Sequence, residues 1–377
     1  MVMAGLVPHF ATARQAHHVV PAAAVVLIYT VVMAGGTLTI PLYVLWASKF
    51  GFGPVTTTLV FIAYVIGVVG TLLVSGSLSD AIGRCPVLAL ALALTALSTL
   101  GFALANSLTI LLISRVVSGA ATGLITATAT SSVAEIVPGR KTAAVLATAA
   151  NVGGLSLGTI AAGLLAQFVQ APTRTVFWCY LVVCAVASIA WLAVPETSDR
   201  RTGWQPRIRR PALPPGASRA RSFLASGVLV AASSGVNGFF SSLAPAFLRD
   251  DLGISNLAVI GVGVGALFIS ALLAQIIAPP AILRRGSCRD SAPPRPRRHR
   301  RTARSGNRAE LSATYFLFVY SGLVVPVLLL GFIDQAVGTR ISSTALAALV
   351  ICTALVGLTL GRSTEPAHLT PMEDPRD

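Results

Sequence analysis

Arg115 is the one charge lying inside any of the long apolar stretches of this chain, so its position needs a reason. A cation at the centre of a bilayer-spanning helix costs about 2.5–3.5 kcal/mol on insertion scales, and such residues mark binding or ion paths by default. Arg115, Gly119, Thr122, Thr126 and Thr130 recur every three or four residues, which puts them along one polar, small-residue face of a helix. A fixed positive charge at the head of a column of hydroxyls suits ion coupling or polar-substrate binding. The alternative is that Arg115, only some two turns into its stretch, reaches back to the outer interface.

A second group is a pair of opposite charges in a glycine-flanked turn. In Gly76-Ser77-Leu78-Ser79-Asp80-Ala81-Ile82-Gly83-Arg84, Asp80 and Arg84 stand four apart and can pair, while Gly76 and Gly83 allow a tight turn and close helix approach. A third is Gly153-Gly154-Leu155-Ser156-Leu157-Gly158-Thr159-Ile160-Ala161-Ala162-Gly163, where Gly154, Gly158 and Gly163 open a surface to another helix at backbone distance. Gly261 and Gly265 offer a matching groove, and plain helix packing is an equal reading of both. Tyr29, Thr37, Thr39, Tyr64 and Asn151, with Ser226, Ser233, Ser234, Asn237 and Ser241, are candidate cavity residues. Each alone more often makes a helix–helix hydrogen bond than a substrate contact.

Other chemistries are disfavoured. His9, His17, His18, His299 and His368 fall in termini or loops, near no set of partners for catalysis. Cys85, Cys179, Cys184, Cys288 and Cys352 are scattered, with no metal-ligand or redox spacing, so no metal, cofactor or enzyme activity is expected. No Gly-x4-Gly-Lys-Ser/Thr loop is present to bind ATP. No Asp, Glu or His lies inside an apolar stretch; Glu135 and Asp334 sit only at ends, which leaves Arg115 as the sole internal handle for proton coupling.

The elements that must position these residues follow from hydropathy. Only 11% of the 377 residues are charged, against roughly a quarter in soluble domains, and mean hydropathy is +0.78, so long stretches of the chain avoid water. Ten segments are long and apolar enough to cross a bilayer: 20–46, 55–78, 86–105, 108–133, 142–169, 175–195, 222–247, 257–282, 312–333 and 342–361. They must be helices or barrel strands, because lipid satisfies no backbone polar group. The run Val87-Leu88-Ala89-Leu90-Ala91-Leu92-Ala93-Leu94 does not alternate polar with apolar, which excludes a barrel. The fold class is all-α and polytopic.

The net charge of +15 is explained by topology rather than by nucleic acid. With the N-terminus inside, Arg84, Arg140, Lys141 and the basic runs 200–221 and 284–308 fall on one side; Lys49, Arg174, Arg249 and Arg340 fall on the other. That asymmetry puts both termini in the cytoplasm. No short apolar core with a cleavage site opens the chain, so the first span is expected to be retained. The Ala-, Gly-, Val- and Arg-rich composition fits a GC-rich bacterial source, and with it an inner-membrane location.

The expected organisation is a six-helix bundle (1–198), a basic cytoplasmic linker (199–221), two helices (222–283), an Arg/Pro-rich segment without core-forming residues (284–310), two more helices (311–362) and a cytoplasmic tail (363–377). This is six spans plus four.

The Gly76–Arg84 turn, placed between the second and third spans, resembles the signature loop of the major facilitator superfamily. The Arg115–Gly123 run resembles that family's Arg-xxx-Gly-xxx-Gly motif, and Gly153–Gly163 resembles the glycine-rich fifth-helix motif of its antiporter branch. Pro195-Glu196-Thr197 is similar to its usual exit from the N-terminal half. The resemblance implies a two-bundle fold and secondary transport of a small organic molecule by alternating access, with efflux coupled to protons, in a monomer. It assigns Gly76, Asp80, Gly83 and Arg84 to a cytoplasmic latch and Asp80 to the positive end of a helix in the other half. It assigns Arg115, with the Gly119, Thr122 and Thr126 face, to proton coupling and the central cavity, and it implies that the fifth and eighth helices pack together.

The chain departs from that pattern in three places. Cys85 stands where a second basic residue is usual, Thr159 replaces a proline, and the equivalents of helices 9 and 10 are missing, replaced by the Arg/Pro segment. Segment 286–307 reads as an out-of-frame or rearranged stretch. A transport-inactive remnant of such a transporter therefore stands as the alternative function.

Overall fold

The structure is a computed structural model that describes residues 8–75, 78–197, 217–277, 314–315, 318–333, 344, 348, 351–352 and 355. Among these residues the only regular secondary structure is helix, joined by short turns. The helices are α1 (Pro8–Thr37), α2 (Tyr43–Phe50), α3 (Pro54–Ser75), α4 (Leu78–Ile82), α5 (Arg84–Ala103), α6 (Leu108–Ile136), α7 (Arg140–Phe168), α8 (Pro172–Trp191), α9 (Ala217–Ser242), α10 (Ala244–Asp250) and α11 (Leu257–Ile277). Phe318–Ile333 forms a further helix, α12.

Seven of the ten expected spans appear as helices long and apolar enough to cross a membrane. The described apolar parts of α11 and α12, Leu257–Leu273 and Phe318–Ile333, are shorter, and the last span, 342–361, lies mostly outside the described residues. Segment 284–310, which bears on the missing helices, lies outside them altogether, as do linker residues 199–216 and the tail; residues 217–221 of the expected linker already belong to α9.

Two spans are shorter than hydropathy suggests. The first ends at Thr37 and restarts as α2 after a tight turn in which Ile40 N–H bonds Thr37 O and Leu42 N–H bonds Thr39 O. The seventh breaks at Leu243, after which α10 begins with Pro245 in its first turn. Pro41 and Pro245 supply no N–H to a preceding helix, so both helices stop where a hydropathy window sees no change.

The chain divides into two compact units, Met1–Ile208 with Phe239–Arg295, and Arg209–Gly238 with Pro296–Asp377. In the first, α6 is central, packing against α1, α3, α5 and α7, while α8 lies on α1 and α5, and α11 lies on α7. Its sorting of residues is that of a protein in lipid. Val182 and Ile189 are 65% and 69% exposed, whereas Arg115 and Thr128 are 1% and 2% exposed. Contiguous apolar surface on that scale needs an apolar solvent.

Close backbone approach replaces large side chains where helices meet. A Cβ on Gly119 of α6 would collide with Tyr64 O and stand 2.9 Å from Val68 N of α3. In the second unit α9 and α12 meet in the same way: a Cβ on Gly235 would stand 3.2 Å from Gly322 O and one on Gly238 2.6 Å from Leu323 O.

Candidate functional site

Arg115 does not reach for an interface. Its Nη1 donates to Gly36 O at 2.9 Å and its Nη2 to the Tyr43 hydroxyl. The guanidinium carbon lies 5.1 Å from the Tyr43 ring centre, 5.3 Å from Tyr64 and 5.8 Å from Phe102. The local fold explains this arrangement. Because α1 stops at Thr37, Gly36 O is one of the last carbonyls of a helix and has no partner within it. The turn after it brings Tyr43 back toward α6, α3 supplies Tyr64 and α5 supplies Phe102. Trp46 then stacks on Phe177 at 5.7 Å and tilts against Phe102 at 6.1 Å, closing the cage from behind. All the partners are neutral, and Arg115 Nε has none. A buried guanidinium held by a carbonyl, a phenol and ring faces keeps its charge uncompensated.

Below Arg115 the α6 hydroxyls turn back on their own helix. Thr122 donates to Ser118 O (3.1 Å), Thr126 to Thr122 O (2.7 Å) and Thr130 to Thr126 O (2.8 Å). Their protons are engaged, so the face they offer is one of acceptor lone pairs. Asn151 Nδ2 of α7 donates to the Tyr29 hydroxyl at 2.7 Å, which sits 3.4 Å from Thr130 Oγ1, and Thr126 Oγ1 lies 3.8 Å from Met33 Sδ. Tyr29, Thr126, Thr130 and Asn151 therefore form one cluster from α1, α6 and α7.

The other expected site residues of the first unit take other partners. Tyr64 belongs to the Arg115 cage, Gly119 packs on α3, and Thr37 donates to Leu155 O at 2.7 Å, tying α1 to α7. Asn237 and Ser234 lie in the second unit, where Asn237 donates to Ser233 O of its own helix at 3.2 Å; Ser241 lies in the first and is buried.

The glycine-rich face of α7 serves two neighbours. Gly154 and Gly158 face α1, where added Cβ atoms would stand 2.7 Å from Thr30 O and 2.6 Å from Thr37 Oγ1. They do not meet Gly261 and Gly265, as the matching groove suggested. Gly163 does: a Cβ there would stand 2.8 Å from Gly261 Cα. Ser156 donates to Gly265 O (2.9 Å), and Gln167 Oε1 accepts from Leu257 N–H (2.8 Å), capping α11. The fifth and eighth spans pack together as expected, through Gly163, Gly261 and Gly265 with Ser156 and Gln167, but without Gly154 and Gly158.

At the other end of the bundle, the turn between α4 and α5 forms a clasp. Gly83 has φ of +107°, favourable only for glycine, and a Cβ there would stand 2.9 Å from Glu196 Cδ. The space is occupied by the Glu196 carboxylate, which accepts from Arg84 N–H (2.7 Å) and Cys85 N–H (3.2 Å), a negative charge on the positive end of α5. Arg84 pairs with Glu135 at 2.9 Å and donates to Ser79 Oγ at 2.6 Å; Thr197 donates to Glu135 at 2.6 Å. Trp191 Nε1 adds a bond to Cys85 O at 2.9 Å. Four segments, α4, α5, α6 and the exit of α8, are thus stitched together. Gly76 and the side chain of Asp80 lie outside the described residues.

Sequence reasoning missed Tyr43, Phe102, Gly36, Glu135 and Glu196 as site members. The two glutamates carried a signal, since acids are rare in this chain and both sit beside span ends. Gly36 carried none: its carbonyl becomes available only because the helix stops.

Comparison with known proteins agrees with this architecture. No curated protein sequence matches the chain. Among solved structures, a bacterial homolog of the human lysosomal transporter Spinster, inward-facing and unoccupied, has a TM-score of 0.56 at 18% identity, with 92% of this chain and 81% of that chain covered. The human organic anion transporter MFSD10 (TETRAN) has a TM-score of 0.55 at 16% identity, with 90% and 99% covered. The sequence model of the Major Facilitator Superfamily matches residues 25–361. The chain is a multi-pass helical membrane protein of the Major Facilitator Superfamily.

Proposed function

We propose that this protein exports a small organic molecule across the bacterial inner membrane by alternating access, in exchange for protons, as a monomer with both termini in the cytoplasm. Membership in a family of secondary transporters supports the general activity. The observation that carries the mechanism is Arg115, buried and held by neutral groups at the point where α1 breaks. A permanent charge there binds an anionic group of the cargo when the cage opens to it and opposes that group's protonation, so cargo and proton exclude each other as an exchanger needs. The acceptor-lined cluster of Tyr29, Thr126, Thr130 and Asn151 supplies the polar surface for cargo. The clasp of Arg84, Glu135 and Glu196 holds the cytoplasmic ends of one bundle in register so that it moves as a body, and the latch role that the family resemblance assigns to Gly76, Asp80, Gly83 and Arg84 is part of the same proposal.

The test is flux in proteoliposomes, with and without an imposed pH gradient, using the compound from a chemical panel that most raises the melting temperature. Exchange predicts saturable flux that an inward proton gradient drives uphill. Background flux under every gradient favours the alternative, a transport-inactive remnant, to which the Arg/Pro composition of 284–310 points.

A further inference from the structure

A cavity of about 300 Å³ opens in the first unit among α2, α3 and α10, at the end of the bundle that the charge asymmetry places outside. Its walls include the apolar Ala47, Phe52 and Ala246, the Tyr43 ring, and two adjacent charges, Arg249 and Asp250. The volume lies at the lower end of the range of about 300–1,000 Å³ for small-molecule sites.

The two charges are an unusual pair. Arg249 Nη1 donates to Val44 O at 3.1 Å, which anchors the guanidinium against α2, and it has no carboxylate partner among the described residues. The Asp250 carboxylate makes neither a hydrogen bond nor an ion pair with a described residue. Consecutive residues of opposite charge therefore line one cavity without pairing with each other or with a neighbour. Arg249 is half-buried and Asp250 is exposed at the mouth, and both line one concave wall with an aromatic ring and two alanines.

We propose that this cavity binds a small zwitterion with an apolar body, of the α-amino-acid type. Its carboxylate docks on the fork of Arg249, which binds carboxylates through two parallel N–H bonds. Its ammonium pairs with Asp250, and its side chain lies on Phe52, Ala47 and Ala246. Tyr43 is common to this wall and to the Arg115 cage, so occupancy of the cavity is felt at the buried arginine through that phenol. The inference concerns binding and stands whether or not the protein transports.

The experiment uses the full chain in detergent, with melting temperature and equilibrium binding read against three probes of equal bulk: leucine, the anion 4-methylpentanoate and the cation 3-methylbutylamine. Leucine binds saturably, at least tenfold tighter than either single-charge probe. Arg249→Lys, which keeps the charge but not the fork, and Asp250→Asn, which keeps the shape, each weaken leucine at least tenfold while leaving a monodisperse protein. The proposal is overturned by no saturable leucine binding by the wild-type chain, or by leucine binding unchanged in both variants. Equal binding of leucine and the anion also overturns it, and leaves a simple anion site. Loss of leucine binding with compound-driven flux intact refutes this site alone; loss of flux with leucine binding intact refutes the transport reading alone.

Discussion

Replacing Arg115 by Met separates what the arginine does for folding from what it does for transport. The guanidinium makes two hydrogen bonds, to Gly36 O and the Tyr43 hydroxyl. Hydrogen bonds to charged groups contribute about 1.5–3 kcal/mol each, so their loss costs about 3–6 kcal/mol. Contacts with the Tyr43, Tyr64 and Phe102 rings add about 2 kcal/mol or less where the cation is desolvated. Against this stands desolvation: taking one ion from water costs several kcal/mol even after relaxation, and no carboxylate repays it here. Methionine fills much of the same volume and keeps apolar and sulfur–ring contacts. The terms nearly cancel, and the net change in stability is within about 2 kcal/mol of zero. A melt in detergent followed by tryptophan fluorescence should therefore move by only a few degrees, while flux in proteoliposomes falls to background. A melting temperature lower by more than about 10 °C, or flux within twofold of wild type, refutes the reasoning; the first makes Arg115 structural and the second makes it dispensable.

Gly163→Ala puts a Cβ 2.6 Å from Leu257 O and 2.8 Å from Gly261 Cα, backbone that cannot step aside, and should cost about 1–3 kcal/mol in a thermal melt. Gly153→Ala is the control: its Cβ meets only Leu272 Cδ2 at 3.9 Å, so the higher helix propensity of alanine leaves the protein unchanged or slightly stabilised. At the clasp, Glu196→Ala removes the carboxylate cap of α5 at about 1 kcal/mol, and Gly83→Ala imposes a strained φ and displaces the same carboxylate. Because both lose the cap, the double variant is destabilised by less than the sum of the single ones, measured as a double-mutant cycle of melts. Tyr29→Phe deletes the acceptor for Asn151 Nδ2 and should weaken the panel compound several-fold in binding while lowering stability by about 0.5–1.5 kcal/mol.

The apolar spans were legible because hydrocarbon demands long uncharged helices, and that demand is written residue by residue. The breaks after Thr37 and Ser242 were not found, although Pro41 and Pro245 mark them, since mean hydropathy runs straight through a proline. Arg115 stood out as a lone charge, but its partners depend on where α1 stops and how α2 returns, which are tertiary facts. Gly154 and Gly158 show the general difficulty. Spacing tells which face of α7 is small, but it does not say whether α1 or α11 comes to lie on it. Likewise Arg84 was read with its nearest acid in sequence, Asp80, while Glu135, fifty-one positions away, proves to be a partner across the bundle.

Alternating access is tested most directly at Thr130, which is exposed in this structure beside the Tyr29 and Asn151 cluster. Thr130→Cys is introduced with the five native cysteines changed to serine, and a membrane-impermeant maleimide is applied to sealed vesicles of either orientation. Alternating access predicts labelling from one side in the absence of compound, and a compound-dependent shift of reactivity toward the other side that Arg115→Met abolishes. Labelling from a single side under every condition contradicts it.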